Sequence, residues 1–125
     1  MTNITIQISN ESFDAWLDES TAPVTVKKLL DALPIKTTLS SWGEEFYFRI
    51  PVKADLENAA EKVSVGDLAY WPQGQAFCIF FGKTPMSKNE IEIIPASAVS
   101  LIGRIDRIEK LKDYKEGEPV KIMLE

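Results

Sequence analysis

GDLAYWPQGQAFCIFFGKTP, Gly66 to Pro85, is the densest apolar and aromatic run in the chain. Val65-Gly66-Asp67 opens a short strand from Leu68 to Trp71, and Pro72-Gln73-Gly74 is turn chemistry. Ala76 to Phe81 is apolar at every position, the pattern of a strand covered on both faces. A sheet built on such a strand needs a second layer, and the helix predicted upstream is the obvious cover. Two readings stand open for the stretch. It is the wall of a core, or Trp71 to Gln75 marks a binding place, since an aromatic beside a proline makes a rigid platform.

Working outward, Ile4, Ile6 and Ile8 alternate with polar residues, and Phe13, Ala15 and Leu17 resume the alternation after the turn Ser9-Asn10-Glu11. This predicts an N-terminal hairpin. Trp16 falls on its other face, under a loop or partly exposed. In ESTAPVTVKKLLDALP (19–34), Ser20 or Thr21 can cap a helix whose first turn tolerates Pro23. Val26, Leu29, Leu30 and Leu33 form one apolar stripe, and Pro34 ends the helix. Too short to stand alone, the helix must lay that stripe on a sheet.

Beyond it, Ile35, Thr37 and Leu39 alternate, and Ser40-Ser41-Trp42-Gly43 turns the chain. Phe46, Phe48 and Ile50 line one face of a strand and Glu45, Tyr47 and Arg49 the other; Pro51 marks its end. Residues 52–62 show no decisive pattern, and 82–89 read as loop. Strands follow at 98–105 and at Val120, Ile122 and Leu124. About eight short strands and one helix predict a mainly β, closed antiparallel barrel, which removes exposed sheet edges. No linker or repeat divides residues 1–125, so one domain is expected.

Bulk composition narrows the chemistry. With 125 residues, 45% hydrophobic and 26% charged, the chain has the make-up of an ordinary globular domain. A net charge of −5 and no basic stripe argue against sequence-independent phosphate binding, so no nucleic-acid partner is expected. The N-terminal MTNITIQISNES lacks a cationic segment before a long apolar run, and nothing approaches about 18 continuous apolar residues. The expectation is a cytoplasmic protein without a membrane partner. The chain has no histidine, which excludes imidazole bases, histidine metal sites and serine–histidine or cysteine–histidine nucleophiles. The single cysteine, Cys78, permits no internal disulfide and reads as a small buried hydrophobe. No phosphate-binding glycine loop is present, and neither cofactor nor metal is expected.

The helix ending LLDALP (29–34), SWGEEFYFRIPV (41–52), the opening stretch and PASAVSLIGRI (95–105) together resemble the cyclophilin fold. They resemble most closely a family of small, single-domain prokaryotic cyclophilin-like proteins. The resemblance spans nearly the whole chain and implies an eight-stranded barrel with helical caps. For active cyclophilins it implies peptidyl-prolyl isomerisation, in which a pocket holds the proline ring and an arginine hydrogen-bonds the twisted amide. That lowers a barrier of about 18–20 kcal/mol without nucleophile, metal or cofactor. The strand carrying that arginine resembles Phe46-Tyr47-Phe48-Arg49-Ile50-Pro51, which gives Arg49 the catalytic role. The segment supplying a substrate-binding glutamine and a pocket phenylalanine resembles Gln75-Ala76-Phe77-Cys78. Gln75 and Phe77, two apart, are expected to share a strand face. The stretch 82–97 has neither the tryptophan nor the histidine that closes the proline pocket in active cyclophilins.

The expectation is therefore a binding protein whose groove is built from Arg49, Tyr47, Gln75, Phe77, Trp71 and Trp42, taking a small molecule or a proline-containing peptide. A peptidyl-prolyl isomerase using Arg49 is the alternative, and a purely structural barrel the third. Each site residue also has an ordinary reading: solvated strand arginine, loop-end glutamine, core phenylalanine, tryptophans packed over the barrel end. Asp67 reads as a turn residue bonding nearby backbone, and Glu44, Glu45, Asp55, Glu57, Glu90 and Glu92 as solvated surface. Ligand identity and oligomeric state have no signature in the sequence.

Overall fold

The structure, a computed structural model, describes residues 1–125. Its strands are β1 (Thr2–Ile8), β2 (Glu11–Leu17), β3 (Ile35–Thr38), β4 (Ser40–Ser41), β5 (Glu45–Arg49), β6 (Asp67–Trp71), β7 (Ala76–Phe80), β8 (Ser100–Ile105) and β9 (Pro119–Leu124), with one α-helix, α1 (Pro23–Ala32). They form a single nine-stranded antiparallel sheet in the order β3-β9-β1-β2-β8-β6-β7-β5-β4. The two terminal strands of that order are neighbours in the chain, separated only by Leu39. Leu39 is buried; its N–H donates to Glu118 O at 2.9 Å, and its carbonyl accepts from Gly117 N at 2.8 Å. The passage 35–41 thus pairs with β9 in its first half and with β5 in its second, and closes the sheet on itself. Counted by chain passage, the barrel has eight strands.

Period-2 alternation fills the interior. Ile4, Ile6, Ile8, Phe13, Leu17, Phe46, Phe48, Leu68, Tyr70, Phe77, Ile79, Ile102, Val120 and Ile122 all belong to one buried cluster. Phe48 and Phe77, directly opposite across β5 and β7, stack with ring centroids 5.2 Å apart. Val26 and Leu29 of α1 join the same cluster, with Leu30 and Leu33 packed on it, as the helical stripe requires.

The outer face of β7 is covered differently from the expectation. Cys78 and Phe80 form a second cluster with Val63, Ala69, Ile93 and Val99. The cover is a pair of irregular segments, 52–66 and 82–99, tied to each other by reciprocal backbone bonds of 2.8 and 3.2 Å between Val63 and Ile93. A second reciprocal pair, of 2.8 and 3.0 Å, joins Ala60 and Val99. The helix cannot serve here, because its apolar stripe is spent on the interior cluster.

The cap of α1 also departs from the sequence reading. Ala22 stands at the N-cap with no side-chain bond. Glu57, from the segment 52–66, accepts from Val24 N at 3.2 Å, Thr25 N at 2.7 Å and Thr25 Oγ1 at 2.7 Å. Burial opposes the Glu57 carboxylate, but the bonds from Thr25 and Val24 outweigh it and hold the carboxyl below its usual range. Replacing Glu57 by alanine is expected to cost about 1 kcal/mol in urea denaturation at neutral pH, the usual worth of a helix cap. A carboxyl lowered on folding stabilises only while ionised, so the deficit should close as pH falls through its folded value.

Candidate functional site

The outward residues of β5, Glu45, Tyr47 and Arg49, stand in register with Phe80, Cys78 and Ala76 of β7; Ala76 in turn pairs with Trp71 of β6. Paired residues share a sheet face, so these side chains occupy one strip of the barrel's outer wall. The segment 93–99 crosses the strip and borders a partly open cavity of about 190 Å³ lined by Trp42, Glu45, Tyr47, Trp71, Cys78, Pro95, Ala96 and Val99.

Local chemistry holds the aromatic walls. The Trp71 indole N–H donates to Ser97 Oγ at 2.6 Å, which ties β6 to the covering segment. Its ring lies over Gly74 so closely that any β-carbon there would collide with it. The Trp42 backbone N–H donates to Glu45 O at 2.9 Å, and Gly43 beyond it takes φ +61°, a conformation that favours glycine.

Glu45 is the residue that sequence reasoning missed. It was expected at the solvated surface, yet it is 5% exposed. Burial pushes its carboxyl up to about 7, only partly offset by the nearby Cys78 thiol. The thiol is itself pushed well up, first by burial and then by Glu45, so it stays protonated. Alternation placed Glu45 on the outer face with Tyr47 and Arg49; nothing in the sequence marked it as the covered one. Pro95, Ala96 and Val99 likewise lack any signal, because they belong to a segment without periodicity.

Of the residues singled out in the sequence, Trp42, Tyr47 and Trp71 meet around the cavity. Arg49 lies on the same strip but is exposed and outside the lining. Gln75 does not share a face with Phe77: it precedes β7 in a left-handed conformation, φ 50°, which breaks the alternation. Its amide donates to Ile50 O at 2.9 Å, bracing the end of β5. It lines a separate polar depression with Lys28, Lys53 and Tyr70. Phe77 is 0% exposed and points into the barrel, across the wall from Arg49. Since Arg49 pairs with Ala76, strand parity puts Cys78 on the Arg49 face and Phe77 on the other.

Asp67, Glu44 and Glu92 have structural partners, whereas Asp55 and Glu90 stand exposed, as the sequence reading expects. Asp67 accepts from Ser64 N at 2.8 Å and pairs with Arg104, which also donates to Val65 O at 2.9 Å. Glu44 pairs with Lys112 at 3.5 Å and Glu92 with Lys62 at 3.1 Å. No helix is long and apolar enough to cross a membrane.

A closed antiparallel barrel of eight chain passages with one principal helix agrees with the architecture that the cyclophilin resemblance implies. The cyclophilin-like family model matches residues 2–123. The solution structure of a hypothetical protein from Archaeoglobus fulgidus is 42% identical, superposes with a TM-score of 0.83, and is matched over 99% of this chain and 95% of that one. No protein of curated function matches the chain. The chain belongs to the cyclophilin-like family.

Proposed function

We propose that the protein binds a small molecule in the cavity bounded by Trp42, Tyr47 and Trp71. The observation that carries this reading is convergence. Three aromatic side chains, from the turn after β4, from β5 and from β6, line one recess that also holds a buried carboxyl. A mostly apolar recess with one placed polar group has the make-up of a ligand site. At about 190 Å³ it exceeds the roughly 150 Å³ engineered cavity that admits benzene. A ligand of modest size fits better than an extended peptide.

Thermal shift against a panel of metabolites and short peptides tests the reading. A ligand at about 100 times its Kd should raise stability by about 2.7 kcal/mol. Trp71→Ala should remove the shift for that ligand. A ligand whose effect survives both Trp71→Ala and Trp42→Ala binds elsewhere and defeats the assignment. Exchange NMR on an X-Pro peptide separates the isomerase alternative. Unchanged exchange is expected, and an acceleration abolished by Arg49→Ala would place the activity at Arg49 instead.

A further inference from the structure

We propose that the Trp42–Tyr47–Trp71 cavity accepts a small organic cation of the methylated-ammonium class, with Glu45 as its counter-charge. This rests on the small-molecule reading above and narrows it. Two indoles and a phenol line the cavity, and aromatic rings attract a cation through their negative quadrupole surfaces, most strongly where water is excluded. Glu45 is the only carboxylate in the lining; no lysine or arginine lines the cavity, and Glu45 takes part in no ion pair. A buried carboxyl without a cation is costly to ionise. The carboxyl rising to about 7 is the free protein's answer to that cost. A bound cation would supply the missing partner.

The lining also selects among ligands. An anion would meet a buried carboxyl inside a chain of net charge −5, which disfavours its approach. A primary ammonium brings three donors that each need an acceptor. The Glu45 carboxylate and the Tyr47 hydroxyl are the only side-chain oxygens in the lining. Pro95, Ala96 and Val99 offer no side-chain acceptor, and the Trp71 N–H is a donor already spent on Ser97, so a primary ammonium is matched less fully than a methylated one. Methyl groups on nitrogen remove those donors and suit apolar walls. The Trp71 wall is set before any ligand arrives, by Ser97 and by its close packing over Gly74, so little ordering remains to be done on binding.

Binding should depend on pH, because a cation draws Glu45 into its charged form. The titratable groups facing it are few: Cys78 from β7, held neutral by its own burial, and Tyr47 on the same strand. The covering residues Pro95, Ala96 and Val99 bring none, nor does Trp71 from β6. Arg49, two positions past Tyr47 on β5, is exposed and outside the lining.

The test titrates the protein with choline and with 3,3-dimethylbutan-1-ol, its neutral isostere, following tryptophan fluorescence and NMR shifts at pH 8.5 and 5.5. Choline is expected to bind about tenfold tighter than the alcohol at the higher pH, the worth of a desolvated cation–aromatic contact. Its affinity should drop about tenfold or more at the lower pH, where Glu45 holds its proton, while that of the alcohol stays level. Glu45→Gln should level the choline profile, and Trp42→Leu should weaken choline at both pH values. Equal binding of the two probes overturns the cation inference and leaves a small-molecule site standing. If neither probe binds, the inference falls, and the ligand panel decides the broader reading by itself.

Discussion

Replacing Phe77 by alanine is expected to destabilise the fold by about 3–5 kcal/mol, the range for deleting a buried aromatic ring. Phe77 is fully buried in the interior cluster and stacked on Phe48, so its removal leaves a void bounded by closely packed side chains. Against a typical total of about 5–15 kcal/mol this is a large fraction. Arg49→Ala, one register step away but on the solvent side of the wall, should change stability by no more than about 0.5 kcal/mol. Urea denaturation of the two variants beside wild type measures both. A Phe77 variant of near-normal stability would place that ring at a ligand groove rather than in the core.

The second large effect belongs to Glu45. Its carboxyl rises from the ordinary 4.5 to about 7 on folding, so the folded state holds a proton that the unfolded state has already released. Stability on this account is full below about pH 4.5, declines as pH rises, and is lost once pH passes about 7. The difference across that window is about 3 kcal/mol. Glu45→Gln keeps the shape and removes the charge. The variant should therefore be more stable than wild type at pH 8.5 and nearly flat between pH 5 and 8.5, as read by urea midpoints. Parallel profiles for the two proteins would mean that the carboxyl stays hydrated in the folded state. The two effects sit on opposite faces of the same pair of strands: Phe77 supports the barrel, and Glu45 is an acid held at the cavity at a cost in stability. A costly buried acid is a reason to look for the ligand that offsets it.

Strand parity made much of the barrel legible. Ile4, Ile6 and Ile8, or Phe46 and Phe48, can face the interior only if Tyr47 and Arg49 face out, and the structure keeps that order. The stripe of α1 was readable for the same reason, being a local repeat. The cap was not, since Glu57 reaches it from more than thirty residues away. Gln75 falls outside the β7 alternation because it takes a left-handed conformation before the strand, and Phe77 faces inward because the register sets Ala76 rather than Phe77 opposite Arg49.

The opening stretch divides along the same line. That Ala76 to Phe81 is covered on both faces follows from its apolarity alone, because exposing either face would leave a broad hydrophobic surface in water. What covers the outer face was a tertiary matter. Glu45, Tyr47 and Arg49 are equivalent in the sequence, three outward positions of one strand, yet they are buried, half-buried and exposed in turn. The difference comes from a segment near residue 95 that crosses the strip at one end. Its path is held by long-range backbone pairs, Val63 with Ile93 and Ala60 with Val99, rather than by any pattern of its own. Local periodicity decides which face a side chain takes, whereas only the chain passing overhead decides whether that face meets water.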